Sequence, residues 1–600
     1  MQDIDWEVDV AILGGGLAGL SLARQLQLAG VERLLLLERA GELPTRRQKV
    51  EESTGQLAAD YFARVLGLEE HLLSEHFLKY NLRFYWKASG GDAGSFEGYS
   101  QSFLRQLSNL PTYQLDRNWF EAELLRQVRR EPGLELRLGV SGIDVQLRDP
   151  GPHLLRFREG ERELAGHARW VVDASGRTRL LARQLGIARP GPVRHDATFA
   201  WLEGIVDLEA LSDLTPAARR VRPERSRLGH TPPWLATNHF MGDGFWLWTL
   251  PLNGMTSVGA VYDPQALPEE LTTPDELIDW AVREFPLFAR DLKQRQVVDH
   301  GVLHNASHDC GQTLSGAGWA LSGEAGRFPD PLYSLGSDLI AIYNTLIVDA
   351  VLTTDPVVLA RKVGLFERLM RAVHEAYMPS FVIGYGTLGD QECFSLRYTW
   401  ELAAYFAFYV FPFINNLFTE VHFLPGCLAR FSWLGSMNHS LQTYLQDYAR
   451  WKKQRPRRPA GPILYDFAAA GALGFAERTL YRVGVTPAEA ARVLAEQVLN
   501  LEELARAIVA HAGSEVVGDR AMRHNAAFVS GIDLSDLRFD PREIGRRAAG
   551  AASGGKHAWS FDVDAFAALA GEVRSATLPG AAAIERPPPT HPPAPRGSRR

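Results

Sequence analysis

The stretch VDVAILGGGLAGLSLARQLQLAG, residues 8–30, constrains the fold of this chain more than any other. A hydrophobic strand runs into Gly14, Gly16 and Gly19 and then into a helix with apolar periodicity. At G-x-G-x-x-G spacing each glycine answers a separate demand. Gly14 permits the tight turn, Gly16 lets the backbone approach a pyrophosphate, and Gly19 lets helix and strand pack closely. The helix N-terminus then faces phosphate charge. The next strand, ERLLLLER, ends in Glu38, nineteen residues beyond Gly19, where a carboxylate can accept from a ribose 2′-hydroxyl. Together these features predict an α/β protein built on a Rossmann-type dinucleotide-binding domain.

NAD and FAD share that fingerprint, so later stretches must separate them. WVVDASGRTRLLARQLG, at 170–186, reads as a strand leading through Asp173 into a helix. GWALSGEAGRFPDPLYSLGSD, at 318–338, reads as a strand, a small-residue turn, an Asp-Pro pair and an apolar helix. Both resemble the second and third flavin motifs of the FAD-dependent monooxygenase superfamily, and YQLDRNWFEAEL at 113–124 extends the likeness. The resemblance implies FAD as cofactor. It places Gly323 and Glu324 at the ribityl chain, Asp330 and Pro331 before the helix that faces the isoalloxazine, and polar flavin contacts at Gln114 and Arg117.

Three further stretches resemble the flavin-dependent halogenases of that superfamily. GDGFWLWTLPLNGMTSVGAVY at 242–262 carries Trp246, Trp248 and Pro251 in the pattern W-x-W-x-I-P. QKVEESTGQLAADYFARVLGLEEHL at 48–72 is similar to V-G-E-S/A-T followed by a helix. FLKYNLRFYW at 77–86 is similar to F-x-K-x-G-x-R-F-x-W. By itself this last decapeptide alternates, with Leu78, Tyr80, Leu82, Phe84 and Trp86 on one face and Lys79, Asn81 and Arg83 on the other, which predicts a continuous strand. The resemblance makes Lys79 the catalytic lysine and turns the polar face into a substrate chamber. It implies that reduced FAD, dioxygen and a halide ion yield hypohalous acid. Lys79 then holds the oxidant, by hydrogen bond or as a haloamine, and delivers it to an electron-rich aromatic carbon. A lysine suits the task because its ammonium is a donor whose pKa falls readily on desolvation. Trp246 and Trp248 would lie beside a tunnel between flavin and substrate, and Ser334 would sit in the P-L-E-S-x-G turn.

Departures from the pattern inform the substrate. Tyr333 stands where tryptophan-specific members carry glutamate, which implies a phenolic or carrier-bound aromatic substrate. Glu51 replaces the glycine of V-G-E-S, and Leu335 and Ser337 alter the S-S-G-V ending. A second nicotinamide fingerprint is not evident, so reduced FAD is expected from a separate flavin reductase. The residues leave open a single-component hydroxylase, a flavin-bound partner subunit without chemistry, and a prenyl-type double-bond reductase, whose aromatic-x-W-x-F-P strand Phe245–Pro251 also satisfies.

Composition is ordinary for a soluble globular protein, and the cysteine usage leads to the expectation of a reducing, cytoplasmic compartment. Hydrophobic residues make up 46% and charged residues 22%, and a net charge of −7 gives no footprint for nucleic acid. The only cysteines, Cys310, Cys393 and Cys427, are too dispersed for a disulfide framework or a zinc site. The N-terminus is acidic and lacks a basic n-region. Pro412, Asn415 and Asn416 interrupt the apolar stretch 402–418, which predicts a buried helix lining an apolar pocket, with peripheral membrane contact as the alternative. The expected organisation is an FAD-binding domain within 1–350, discontinuous over about 1–75, 105–190 and 300–350. Substrate-domain strands fall at about 76–104 and 191–299, a mostly helical region at 351–575, and a disordered Pro/Arg-rich tail at 576–600. One late helix starts at Thr486, with Pro487 first and Glu489 completing a capping box, and Gly513 is its expected stop.

Overall fold

The computed structural model describes residues 4–221, 231–267, 270–455, 460–551 and 554–570, so the Pro/Arg-rich tail lies outside the described residues. Its first sheet has a parallel centre in the spatial order Trp319–Leu321, Arg162–Asp173, Trp6–Leu13, Leu34–Glu38 and Leu134–Leu138. Val10, Ala11, Ile12, Leu34, Leu35 and Leu36 are all buried, as expected of strands covered on both faces. The register pairs Leu13 with Asp173, and Asp173 with Leu321. Three strands from three distant segments therefore end level, and the turns that follow them form one wall. That edge is where ligands bind in open α/β sheets.

A second, largely antiparallel sheet runs in the order Val297–Leu303, Asp196–Glu203, Met255–Tyr262, Phe245–Leu252, Thr237–Gly242, Leu82–Lys87, Tyr99–Phe103 and Leu464–Asp466. The last strand comes from within the helical half of the chain. Both faces are covered. Phe84, Trp86, Trp201, Trp246 and Trp248 face the main core, while Tyr85, Phe240 and Leu247 pack with Trp280 and Phe285 in a satellite core.

The decapeptide FLKYNLRFYW departs from its predicted continuous strand. Phe77–Leu78 pairs with Tyr113–Gln114, and a separate strand begins at Leu82. Between them Asn81 takes a left-handed φ of 61°. Its amide donates to Leu104 O at 3.0 Å and to Gln106 O at 2.9 Å, which fixes the break. Asparagine tolerates that region better than most residues. The interruption frees Lys79 from strand alternation, and Leu78, expected on the buried face, is 39% exposed.

The helical half buries its apolar stretch as expected. Gln391–Tyr405 continues through Phe406–Val410 to Ile414, and Asn416, at φ 55°, ends the run. The helical span Leu332–Leu352 is long and apolar enough to cross a membrane, yet 83% of its most apolar window is buried inside the protein. The late helix begins at Pro487 with the capping box of Thr486 and Glu489, but it runs on to Val517 and stops at Gly518, not Gly513. Gly513 serves packing instead. A methyl group there would lie 2.9 Å from Phe528 Cζ.

Candidate active site

A cleft of about 670 Å3 runs along the level strand ends, from Glu38 and Arg39 past Gly14 and Gly16 to Glu324 and Ile340. The three glycines divide the work as their spacing predicts. Gly14 has φ 115°, and a methyl group there would meet Ala174 O at 2.4 Å. A methyl on Gly19 would meet Gly14 O at 1.9 Å, so helix and strand touch there. At Gly16 nothing lies within 4 Å, which leaves room for a ligand against the helix N-terminus. Glu38 accepts from Gly15 N at 2.7 Å and from Ala40 N at 2.8 Å, and each oxygen retains a lone pair. Arg117 and Glu51 also line the cleft, with Arg117 Nε and Glu51 Oε1 buried and unpartnered. An open cradle at a helix N-terminus, an acceptor at one end and orphaned polar atoms at the other fit FAD. Glu38 would take the ribose, Gly14–Gly16 the pyrophosphate, and Glu324 the ribityl chain.

Other residues expected to touch the cofactor hold the cleft's shape from behind. Asp173 is fully buried and accepts from Ser175 N at 2.9 Å and Leu181 N at 2.7 Å, fixing the turn after its strand. Gln114 is fully buried, and its amide donates to Thr237 Oγ1 at 2.8 Å, away from the cleft wall. Gly323 has φ 57° and packs on Ala18 and Ile340. Asp330 accepts from Leu332 N and from Tyr385 Oη, each at 2.9 Å, and lies 2.6 Å from His195 Nδ1. Pro331 follows it and leads into the turn at Tyr333 and Ser334.

Lys79 is 5% exposed and lines a second, more enclosed cavity with Gly55, Tyr333, Tyr398, Glu401, Leu402, Tyr405 and Phe406 among its walls. Its Nζ donates to Thr54 O at 2.7 Å. Burial lowers the ammonium from the usual lysine range to about 7, and the charge of Asp338 opposes the fall. Asp338 stands in the first turn of the Leu335–Leu352 helix, accepts from Ala58 N at 2.8 Å, and is pushed up to about 6 by burial. This chamber is tighter than the cleft, about 60 Å3 against about 670 Å3.

The indoles pack in a layer beside the chamber and are not part of its wall. Trp246 Nε1 donates to Tyr385 Oη at 2.9 Å, which in turn donates to Asp330, and Trp248 Nε1 donates to Ser257 Oγ at 3.0 Å. The two ring centroids are 5.7 Å apart. His239 lies 5.1 Å from Trp246, and burial and the nearby Lys79 charge drive its pKa down to about 3, so it stays neutral. Ser334 caps the Leu335–Leu352 helix in a left-handed conformation, without a side-chain cap bond.

Carboxylates crowd the cleft's inner end. Glu51 has φ 69°, a conformation that favours glycine, and lies 3.5 Å from Arg117. Burial, and then the charge of Glu324, raises its carboxyl to about 7. Glu52, buried behind it, accepts from Trp201 Nε1 at 2.7 Å and is likewise pushed up to about 7 by burial. A carboxyl whose folded pKa exceeds its unfolded value lends stability below the unfolded value and loses it as pH rises through the folded one. Glu51→Gln therefore stabilises the protein relative to wild type at pH 8.5, on the order of 1–3 kcal/mol, and not at pH 4.5. Urea unfolding at the two pH values measures the difference, and equal effects at both contradict it.

Comparison with known proteins shows which flavoproteins this chain is similar to. Residues 7–221 match the family described as FAD binding domain. The chain is 24% identical over 455 residues to the flavin-dependent halogenase chlA of Dictyostelium discoideum, covering 69% of this chain and 73% of that protein. It is 27% identical over 348 residues to the 1H-pyrrole-2-carbonyl-[peptidyl-carrier protein] chlorinase of Pseudomonas fluorescens, covering 55% and 73%. The chain carries an FAD binding domain and is similar to flavin-dependent halogenases. Among solved structures, the crystal structure of halogenase PltM matches its fold with a TM-score of 0.56 at 17% identity, over 83% of this chain and 96% of that one. The protein is thus an FAD-dependent oxidoreductase of the halogenase type. Motif reading missed Asp338, Glu401, Tyr398 and Tyr405, which carry no local signal; the turn at Tyr333 was the one pointer towards them.

Proposed function

We propose that the protein halogenates an electron-rich aromatic ring bound in the chamber of Lys79, drawing reduced FAD from a separate flavin reductase. Bound FAD supplies the redox chemistry that converts a halide and dioxygen into hypohalous acid. The lysine receives it: the neutral amine and HOX give the haloamine and water, and the haloamine passes its halogen to a ring carbon in exchange for the ring proton. One observation carries this reading. The Lys79 amine sits in an enclosed cavity in a low-dielectric setting that lowers its pKa to about 7. An exposed lysine is almost wholly protonated at that pH and has no lone pair to offer. Thr54 O holds the nitrogen in place, and Asp338 supports whatever positive charge returns to it. The relatives support both free aromatic and carrier-bound substrates. Tyr333, in place of a carboxylate at the turn, favours a phenolic ring.

The test supplies reduced FAD, dioxygen and bromide to the protein with a panel of phenols and indoles, read by mass spectrometry. Monobrominated phenols are the expected products. Oxygenated products without halogen, or flavin oxidised by an added alkene without dioxygen, exclude the reading.

A further inference from the structure

The wall that carries Lys79 also carries a phenol bonded to a buried carboxylate. Tyr333 Oη donates to Glu401 Oε2 at 2.9 Å. Arg397 Nη2 donates to Tyr333 Oη at 2.9 Å, and Gln442 Nε2 donates to Glu401 Oε1 at 2.6 Å. Arg397 is fully buried and Glu401 is 4% exposed, with the guanidinium 3.5 Å from the carboxylate. Tyr333 and Glu401 both line the chamber.

Two features single this group out from ordinary core polarity. Tyr333 has φ 73° and Ser334 has φ 61°, two consecutive left-handed residues without glycine. Such residues cost about 1–3 kcal/mol each and persist where surrounding contacts hold them, typically at functional sites. Valence is the second feature. The Tyr333 oxygen gives its proton to Glu401 and one lone pair to Arg397, so one lone pair remains for a donor in the chamber. The natural donor beside a lysine that delivers an electrophile is the hydroxyl of a phenol.

We propose that Tyr333 and Glu401 form a proton relay that accepts the hydroxyl proton of a phenolic substrate, so that the chamber selects phenols over aryl ethers. The relay rests on the halogenase reading for its chemical purpose, but not for its binding preference. The substrate O–H proton passes to Tyr333 Oη while the Tyr333 proton passes to Glu401 Oε2, and Arg397 balances the charge. The phenolate pushes electron density into the ring. A ring carbon attacks the halogen, the N–X bond breaks with its electron pair on Lys79, and the ring proton goes to that nitrogen. The proton on Glu401 then returns through Tyr333 to the product oxygen. The sum is ArH and Lys–NHX giving ArX and Lys–NH2.

The experiment compares 3-methoxyphenol with 1,3-dimethoxybenzene on the FAD-loaded full chain, for wild type, Glu401→Gln and Tyr333→Phe. Calorimetry without halide measures binding, and bromide turnover measures kcat/KM. Wild type binds the phenol at least about tenfold more tightly, the effect of one hydrogen bond to a buried acceptor. Tyr333→Phe brings the two affinities to within about twofold. Each variant loses at least about tenfold in kcat/KM on the phenol and less than about twofold on the diether. Equal losses on both ligands, or none on either, overturn the relay. Retained FAD and an unchanged melting temperature show that a loss is not misfolding, and the Tyr333→Phe comparison stands if Glu401→Gln fails to fold. A phenol preference in binding, abolished by Tyr333→Phe, with no brominated product from wild type, keeps the phenol site and rejects the halogenase reading. The reverse pattern, bromination with no preference between ligands, rejects the relay alone.

Discussion

Lys79→Met abolishes halogenated product, a loss of at least about a thousandfold, while FAD stays bound. Methionine matches the length of the lysine stem and fills the same space, so the chamber keeps its packing. What disappears is the amine. The folded protein gains stability from the exchange over most of the pH range. Burial depresses the Lys79 pKa to about 7 from an unfolded value of 10.5, so its contribution is whole above pH 10.5 and is lost as pH falls to 7. The variant escapes that loss, and its advantage in urea unfolding grows from pH 10.5 down to pH 7 and then levels. Wild-type halogenation, in turn, rises through pH 7 as the amine loses its proton. A variant that halogenates like the parent, or a wild-type rate flat from pH 6 to 8, rules out Lys79 as the group that holds the oxidant.

The second large effect separates two glycines three residues apart. Gly16→Ala leaves the apoprotein as stable as wild type but weakens FAD binding by about a hundredfold or more. Its backbone, at φ −82°, suits alanine, and its methyl group meets no protein atom within 4 Å. The methyl would occupy only space that the pyrophosphate needs. Gly19→Ala fails differently. Its methyl would fall 1.9 Å from the carbonyl oxygen of Gly14, backbone against backbone, and neither partner can turn aside. It lowers the melting temperature and FAD binding together, with an overpacking cost of about 1–3 kcal/mol or more. Thermal unfolding with and without FAD, beside flavin absorbance after gel filtration, distinguishes the two. Unchanged FAD affinity in Gly16→Ala moves the pyrophosphate away from this helix.

Sequence and structure divide their contributions by distance along the chain. The glycine turn, the strand before it and Glu38 lie within about thirty residues. Their geometry follows from local backbone rules, so spacing alone identifies them. The same holds for the capping box at Thr486 and Glu489, two residues bonded to each other across one helical turn. The hydrogen-bond partners of the buried polar residues were less legible. Asp173 accepts from the backbone N–H groups of Ser175 and Leu181, and the Gln114 amide donates to Thr237, partners that no local pattern names. The Trp246 and Trp248 pattern was readable, but the bonds of those indoles to Tyr385 and Ser257 were not.

The sequence by itself determined a Rossmann-type flavoprotein with halogenase motifs, since strand, turn and helix signals are written in neighbouring residues. Only the tertiary structure decided what faces Lys79. Asn81 breaks the strand by bonding to carbonyls at Leu104 and Gln106, and Glu401 reaches Tyr333 from 68 positions along the chain. The charge state of a buried amine depends on which dipoles and carboxylates surround it in space, and that packing arises only when the sheet and the helical half close on each other.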